Sequence, residues 1–377
     1  MHLDHLTLTD FRSYTDAEFE PAAAGITVVT GANGAGKTNL IEAVAYLATL
    51  RSLRGAPAAA VIRSGCDQAV LRSRVRHDAR LITIDAEVHA AGRDRVQVNG
   101  QPLRRTRDLL GALQVTVFSP DDLALVKAAP AGRREYLDDL MVALQPRRDS
   151  LLTELERVLK QRNALLKSVF STGWRPGRPL PEDVRVTLDV WDSKLVAVGE
   201  ALVEARSALA RDLTPHVATA YSSLATGSAP PARLAVALAY EVSWPGALRD
   251  ALVAAREDDL RRGVTTVGPQ RDDLRLDIGG LPARTHASQG EQRTLALALR
   301  LAGHRLVAAA VGSPPLLLLD DVFSELDGAR AEALMANLPA LSDTQAILTT
   351  AGALPPGALA LGAVAARFRV EEGKLLT

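Results

Sequence analysis

A single cysteine, Cys66, occurs in 377 residues, so no disulfide can close within the chain and no thiolate cluster can hold zinc. Aromatic side chains make up only 4% against 47% hydrophobic, so a core has to be packed from Leu, Val and Ala. The formal net charge is zero, which removes any global pull toward nucleic acid or membrane and leaves only local patches as polyanion sites. The seven histidines (His2, His5, His77, His89, His216, His286, His304) show no metal-ligand spacing. No run is both long and apolar enough for a bilayer: residues 294–311 are interrupted by Arg300, His304 and Arg305, and the run 316–319 is far too short. Asp4 stands where a signal peptide would begin its apolar core. A soluble, cytoplasmic protein without a membrane partner is expected.

Against these absences stands one dense feature. Gly31-Ala32-Asn33-Gly34-Ala35-Gly36-Lys37-Thr38 fits the Walker A pattern G-x-x-x-x-G-K-[ST] at every fixed position. Its glycines let successive N–H groups wrap a polyphosphate, Lys37 reaches the β- and γ-phosphates, and Thr38 offers its hydroxyl to Mg²⁺. The β-branched run 26–30 leads in as a strand, and 39–50 follows as a helix whose positive end faces the same anion. ATP and Mg²⁺ are the expected cofactors.

Leu316-Leu317-Leu318-Leu319-Asp320-Asp321 has the form of a Walker B strand, apolar because it is buried on both faces and acidic at its carboxyl end. Alone it also describes a core strand with a polar cap; beside the Walker A loop it assigns Asp320 to Mg²⁺. Asp321, with Lys37, becomes the catalytic candidate, orienting or deprotonating the attacking water.

Strands are predicted near 3–8, 26–30, 81–88 and 115–118, with Asn99-Gly100 as a hairpin turn after 94–98. From about 120 the apolar spacing turns helical, giving two antiparallel helices, the second over 182–213, separated by a Gly/Pro-rich loop at 173–181. A strand at 234–242, a helix at 246–262 and a strand at 274–278 follow. The predicted class is α/β, a β-rich P-loop ATPase lobe with a helical second lobe. Its parts are 1–119 with Walker A, a mainly helical insertion at 120–265, and 266–377 with the remaining motifs.

Ser288-Gln289-Gly290-Glu291-Gln292-Arg293 opens a helix and resembles the signature motif of ABC-type ATPases; read locally, Ser288 and Glu291 form a capping box. Residues 320–327 resemble Walker B plus D-loop, with Ser324, Leu326 and Asp327 at the matching offsets. About 250 residues separate Thr38 from Ser288, more than in transporter ATPases and without the sustained heptads of SMC or Rad50 coiled coils. Together with 8–14, 118–123, 133–138, 268–273 and 288–299, the chain resembles the RecF family over essentially its whole length. That resemblance implies an ATP-sandwich homodimer in which Ser288, Gln289, Gly290 and Glu291 face the nucleotide of the opposite copy. It further implies Arg12 as a nucleotide contact and action with RecR and RecO to load recombinase on DNA, while the Asp321 side chain, one methylene shorter than the Glu of transporters, predicts slow ATP hydrolysis.

The chain also departs from the pattern. Gln270 replaces an expected His, Glu291 a common Gln, and Asp321 the Glu of transporters; Thr349-Thr350 stands where transporters carry a switch histidine, and residues 119–122 take the place of a Q-loop.

Residues 51–107 hold twelve Lys/Arg against five Asp/Glu. Arg72, Arg74 and Arg76 share one face of a strand by period-two spacing, and Arg104, Arg105 and Arg107 follow the hairpin. These are DNA candidates for double-stranded, gapped or junction DNA, with single strands as a further ligand, or else a solvated arginine face. Two competing functions are the ATP-binding subunit of a membrane transporter and a DNA clamp that binds ATP without hydrolysing it.

Overall fold

The computed structural model describes residues 1–77, 80–103, 109, 111–171, 178–225, 231–338, 344–352 and 364–376. In chain order these form β1 (His2–Phe11), β2 (Tyr14–Phe19), β3 (Gly25–Thr30), α1 (Lys37–Thr49), β4 (Gln68–His77), β5 (Arg80–His89), β6 (Arg95–Val98), β7 (Gln101–Pro102) and β8 (Val115–Phe118). Then come α2 (Leu123–Lys127), α3 (Pro130–Leu144), α4 (Asp149–Ser171), α5 (Glu182–Leu224), β9 (Val236–Glu241), α6 (Leu248–Arg262), β10 (Asp273–Ile278) and β11 (Leu281–Pro282). The remainder is α7 (Ala283–His286), α8 (Gln289–Val311), β12 (Leu316–Asp320), α9 (Gly328–Asn337), β13 (Gln345–Thr350), β14 (Val364–Glu371) and β15 (Lys374–Leu376).

Two compact units result. The first contains Met1–Leu123, His216–Leu234 and Ser288–Thr377. It holds an antiparallel sheet in the order β2-β1-β4-β5-β6-β7 and a second sheet in the order β15-β14-β3-β13-β12-β8, parallel except for β15. The strands β3, β12 and β13 are buried along nearly their whole length, and β12, covered on both faces, reads as an unbroken apolar run up to Asp320. β4 instead alternates buried and exposed, as a sheet with one wet face requires. Helix α1 is buried from Leu40 through Ala48 and shares one core with residues of both sheets, among them Leu6, Leu71, Ile84, Leu318 and Ile347. At the hairpin, Asn99 and Gly100 both adopt positive φ, the backbone a two-residue turn between twisted strands demands.

The second unit, Ala124–Pro215 and Ala235–Ala287, corrects the expected boundaries. It runs past 265 because β9 pairs antiparallel with β10, and 216–234 returns to the first unit. The helical region that begins near 120 breaks between α3 and α4 at the turn Pro146–Arg148, where proline ends the ladder. Helix α5 continues past 213 to Leu224 with Pro215 inside it.

Arg162, fully buried on α4, ties this unit together by donating to Asp192 on α5 and to Asp259 on α6 at 2.7 and 2.6 Å. The stretches 133–138 and 268–273 meet as well. Arg133 forks onto the Asp273 carboxylate, Arg134 donates to Asp272 O, and Arg206 bridges Asp138 and Pro269 O.

Candidate functional site

The parallel register decides where the nucleotide motifs meet. β13 lies between β3 and β12, with Thr349 opposite both Val29 and Asp320, so the loop leaving β3 and the acids ending β12 emerge side by side at the carboxyl edge. Thr38 Oγ1 donates to Asp320 Oδ1 at 3.0 Å. Lys37, buried, donates from Nζ to Gly31 O and Ala32 O at 2.8 and 2.9 Å, folded under the loop formed by Gly31, Ala32, Asn33, Gly34, Ala35 and Gly36. A Cβ on Gly31 would lie 2.5 Å from Val370 O, and one on Gly36, at φ 120°, 2.6 Å from Ser13 Oγ.

Thr349, at the position sequence comparison gave to a switch histidine, straps the acids together. Its hydroxyl donates to Asp320 Oδ1 at 2.7 Å and accepts the Asp321 N–H at 3.0 Å. That strap holds Asp321 in the left-handed region, φ 47°, an uncommon place for a residue with a side chain. Burial raises the pKa of Asp320 above its ordinary value, helped by Asp321, against the opposing hydrogen bonds from Thr349 and Thr38 and the charge of Arg54. A buried threonine at the end of an apolar strand carries no sequence signal for this role.

Arg12, the expected nucleotide contact, lies at the turn between β1 and β2. Its guanidinium forks onto Glu42 at 2.8 Å for both bonds and also donates to Ala60 O. Glu42, fully buried in α1, further accepts from Ser52 Oγ. Tyr14 OH donates to Gly36 O and Asn39 Nδ2 to Ser13 Oγ. The turn between β1 and β2 is thus bonded to the loop through Tyr14 and Ser13 and to α1 through the Arg12–Glu42 pair.

At the start of α8 the capping box is complete: Ser288 N donates to Glu291 Oε2 at 2.7 Å and Glu291 N to Ser288 Oγ at 3.3 Å. Burial alone would favour the neutral acid at Glu291, yet the Ser288 hydrogen bonds and the charges of Arg233 and Arg330 hold its pKa below the ordinary value. Gln289 and Gly290 complete the first turn. In the D-loop, Ser324 Oγ donates to Asp321 O at 2.8 Å and Asp327 caps α9 by accepting the Arg330 N–H. Ser119 to Asp122 leave the end of β8 as a 3-10 turn, and Asp122 accepts from Arg300 of α8 at 2.8 Å, a link between the Q-loop position and the signature helix.

The arginine stripe is exposed on β4 as expected, but each member faces a carboxylate: Arg76 lies 2.9 Å from Asp4, Arg74 4.0 Å from Glu20, and Arg72 pairs in register with Asp85. His5, Glu18 and Glu20 also converge beside Arg74, with His5 Nε2 2.7 Å from Glu18. This face is thus a mixed charge lattice. Arg104, Arg105 and Arg107, like Trp174, lie outside the described residues.

The chain matches the family described as RecF/RecN/SMC N terminal domain over residues 2–353. It is 42% identical over 383 aligned residues to the protein of Streptomyces avermitilis named DNA replication and repair protein RecF, covering 99% of both chains. A protein of the same name from Cutibacterium acnes is 41% identical, with 100% of this chain and 98% of that one covered. Among solved structures, the recombination mediator protein RecF-ATPrS in RecFOR pathway is similar at a TM-score of 0.84 and 26% identity, over 100% of this chain and 97% of that one. An Smc head bound to the C-winged helix domain of ScpA gives 0.57 at 16% identity over 100% and 96%, a likeness of fold alone.

Proposed function

The chain belongs to the RecF family, and from that premise we propose that it is an ATP-dependent DNA replication and repair ATPase whose nucleotide site is closed by a second copy. ATP binds on residues 31–38. Phosphate takes over the Lys37 ammonium from the Gly31 and Ala32 carbonyls, and the loop amides cradle it with the amino end of α1. The oxygen donors Thr38 and Asp320, 3.0 Å apart, suit a hard divalent cation, and Mg²⁺ held by them would offset negative charge on the triphosphate. Asp321, fixed by the Thr349 strap, receives the proton of the attacking water. Its carboxylate is one methylene shorter than glutamate, and slow turnover suited to a switch follows.

The signature turn closes the site in trans. Ser288 Oγ accepts from Glu291 and still has its own hydrogen to donate to a γ-phosphate, alongside the helix amino terminus. Asp327 and Ser324 sit at the same dimer face. ATP-driven pairing then regulates DNA binding at gaps or single-strand/double-strand junctions, with RecR and RecO as partners in loading recombinase. DNA contact by Arg72, Arg74 and Arg76 requires displacing Asp85, Glu20 and Asp4, so these arginines contribute salt-sensitive, sequence-independent affinity.

The single observation that carries this reading is the Thr38–Asp320 contact across two strands of one parallel sheet. A membrane-transporter subunit is disfavoured by full-length similarity to proteins named for DNA replication and repair. Sedimentation of the full-length chain with and without Mg²⁺-ATP and gapped duplex DNA tests the proposal. Nucleotide converts the wild type, but not Lys37→Met, to a dimer; a wild type indifferent to nucleotide overturns it. Phosphate release by Asp321→Asn equal to that of the wild type would favour the non-hydrolysing clamp.

A further inference from the structure

Gly290 is a glycine without a backbone reason to be one. Its φ is not positive, and it lies in the first turn of α8, where alanine is the better helix former. What fills the place of its side chain is Arg330. A Cβ on Gly290 would stand 2.8 Å from Arg330 Nη2 and 3.1 Å from Cζ and Nη1. Arg330 is in turn clamped by the D-loop aspartate: its N–H donates to Asp327 Oδ1 at 2.9 Å and its Nη1 to Oδ2 at 2.5 Å. Upstream, Ser324 bonds through both N–H and hydroxyl to Asp321 O, so the clamp is continuous with the Walker B acids.

We infer that Arg330 is a positioning residue that couples the D-loop to the signature turn within one copy, its guanidinium held by Asp327 and seated in the space a Gly290 side chain would take. The Arg330–Asp327 pair is partly exposed, and its charge attraction alone is worth little. The coupling is steric: the Arg330 guanidinium, held by Asp327, lies against the first turn of α8, so moving it changes the packing there. A displacement at Asp321 therefore reaches Ser288 through Ser324, Asp327 and Arg330. Its consequence for dimer closure rests on the ATP-sandwich reading above; the coupling itself does not.

Hydrogen exchange and sedimentation on the full-length chain test both levels. In the absence of nucleotide, Gly290→Ala displaces the guanidinium and speeds exchange in peptides covering 322–331 by about fivefold or more, whereas in an Arg330→Ala background it adds less than about twofold. Arg330→Ala keeps single-copy ATP affinity within about twofold and weakens ATP-dependent dimerisation about five- to tenfold. Asp327→Asn, which retains the Oδ1 that caps α9 and removes the charge that clamps Arg330, reproduces both effects of Arg330→Ala. Additive effects of the Gly290 and Arg330 substitutions, or unchanged exchange at 322–331 in Gly290→Ala, overturn the coupling. Coupled exchange in a chain that never dimerises leaves the coupling standing and removes the sandwich; dimerisation with uncoupled exchange does the reverse.

Discussion

Thr38 and Asp320 stand 282 residues apart in sequence and touch at 3.0 Å, hydroxyl to carboxylate. The contact exists because β3 and β12 flank β13 in one parallel sheet, so the loop after one and the acid ending the other are delivered to the same edge. The strap beside it is the first place to intervene. Thr349→Val preserves shape and volume but removes the donor to Asp320 and leaves the Asp321 N–H with the Thr349 carbonyl alone. Phosphate release should fall about 10- to 100-fold through misplacement of Asp321. Binding of a fluorescent ATP analogue, measured on the same preparation, should change far less.

Gly36→Ala puts a Cβ at φ 120° and 2.6 Å from Ser13 Oγ. The left-handed strain of about 1–2 kcal/mol falls on the backbone that must cradle phosphate. ATP affinity is expected to drop by about tenfold or more, read by fluorescence titration, with the far-ultraviolet dichroism unaltered.

Arg12→Ala leaves Glu42 buried without its cation, a loss of about 3 kcal/mol. Arg12→Ala combined with Glu42→Gln should regain a substantial part of that, because the charge requiring a partner is gone. Urea midpoints of the two variants decide the matter. Were Arg12 a direct nucleotide ligand, the second substitution would restore stability but not ATP binding.

In the second unit, Arg162→Met strands the fully buried Asp259 carboxylate without a cation, while Asp192 keeps only Arg256. The expected destabilisation is about 3–5 kcal/mol, seen as an earlier urea transition. Asp259→Asn added to it should recover part of the loss.

His304 contributes a pH dependence. Burial, with a smaller push from Arg305, lowers its pKa from the ordinary 6.5 to about 4, and its ring bonds Thr116 at 3.1 Å. Above pH 6.5 both folded and unfolded chains carry it neutral. As pH falls toward 4 the unfolded chain takes up a proton the folded one refuses, so stability drops by on the order of 3 kcal/mol. His304→Asn, which keeps a polar atom near Thr116, should flatten the denaturation midpoint between pH 6.5 and 4.5.

The Walker A loop, the Asp320-Asp321 pair, the capping box at Ser288 and the Asn99-Gly100 hairpin were legible because each is local: residues a few positions apart settle the backbone and the chemistry together. Period-two spacing likewise placed Arg72, Arg74 and Arg76 on an exposed face. It could not reveal Asp4, Glu20 and Asp85 opposite them, since strand pairing chooses those neighbours. The boundary at 265 failed for the same reason: β9 finds β10 across an intervening helix, and periodicity within a strand carries no information about its partner.

Sequence by itself determined the catalytic vocabulary of this protein, the glycines, lysine, hydroxyls and acids that a triphosphate requires, and the order in which they occur. Only the tertiary structure decided that Arg12 pairs with Glu42, that Thr349 bonds both Asp320 and Asp321, and that Arg330 occupies the space beside Gly290. Those roles are contacts between segments far apart along the chain, and contacts of that kind are selected by packing and strand register after the local preferences have been spent.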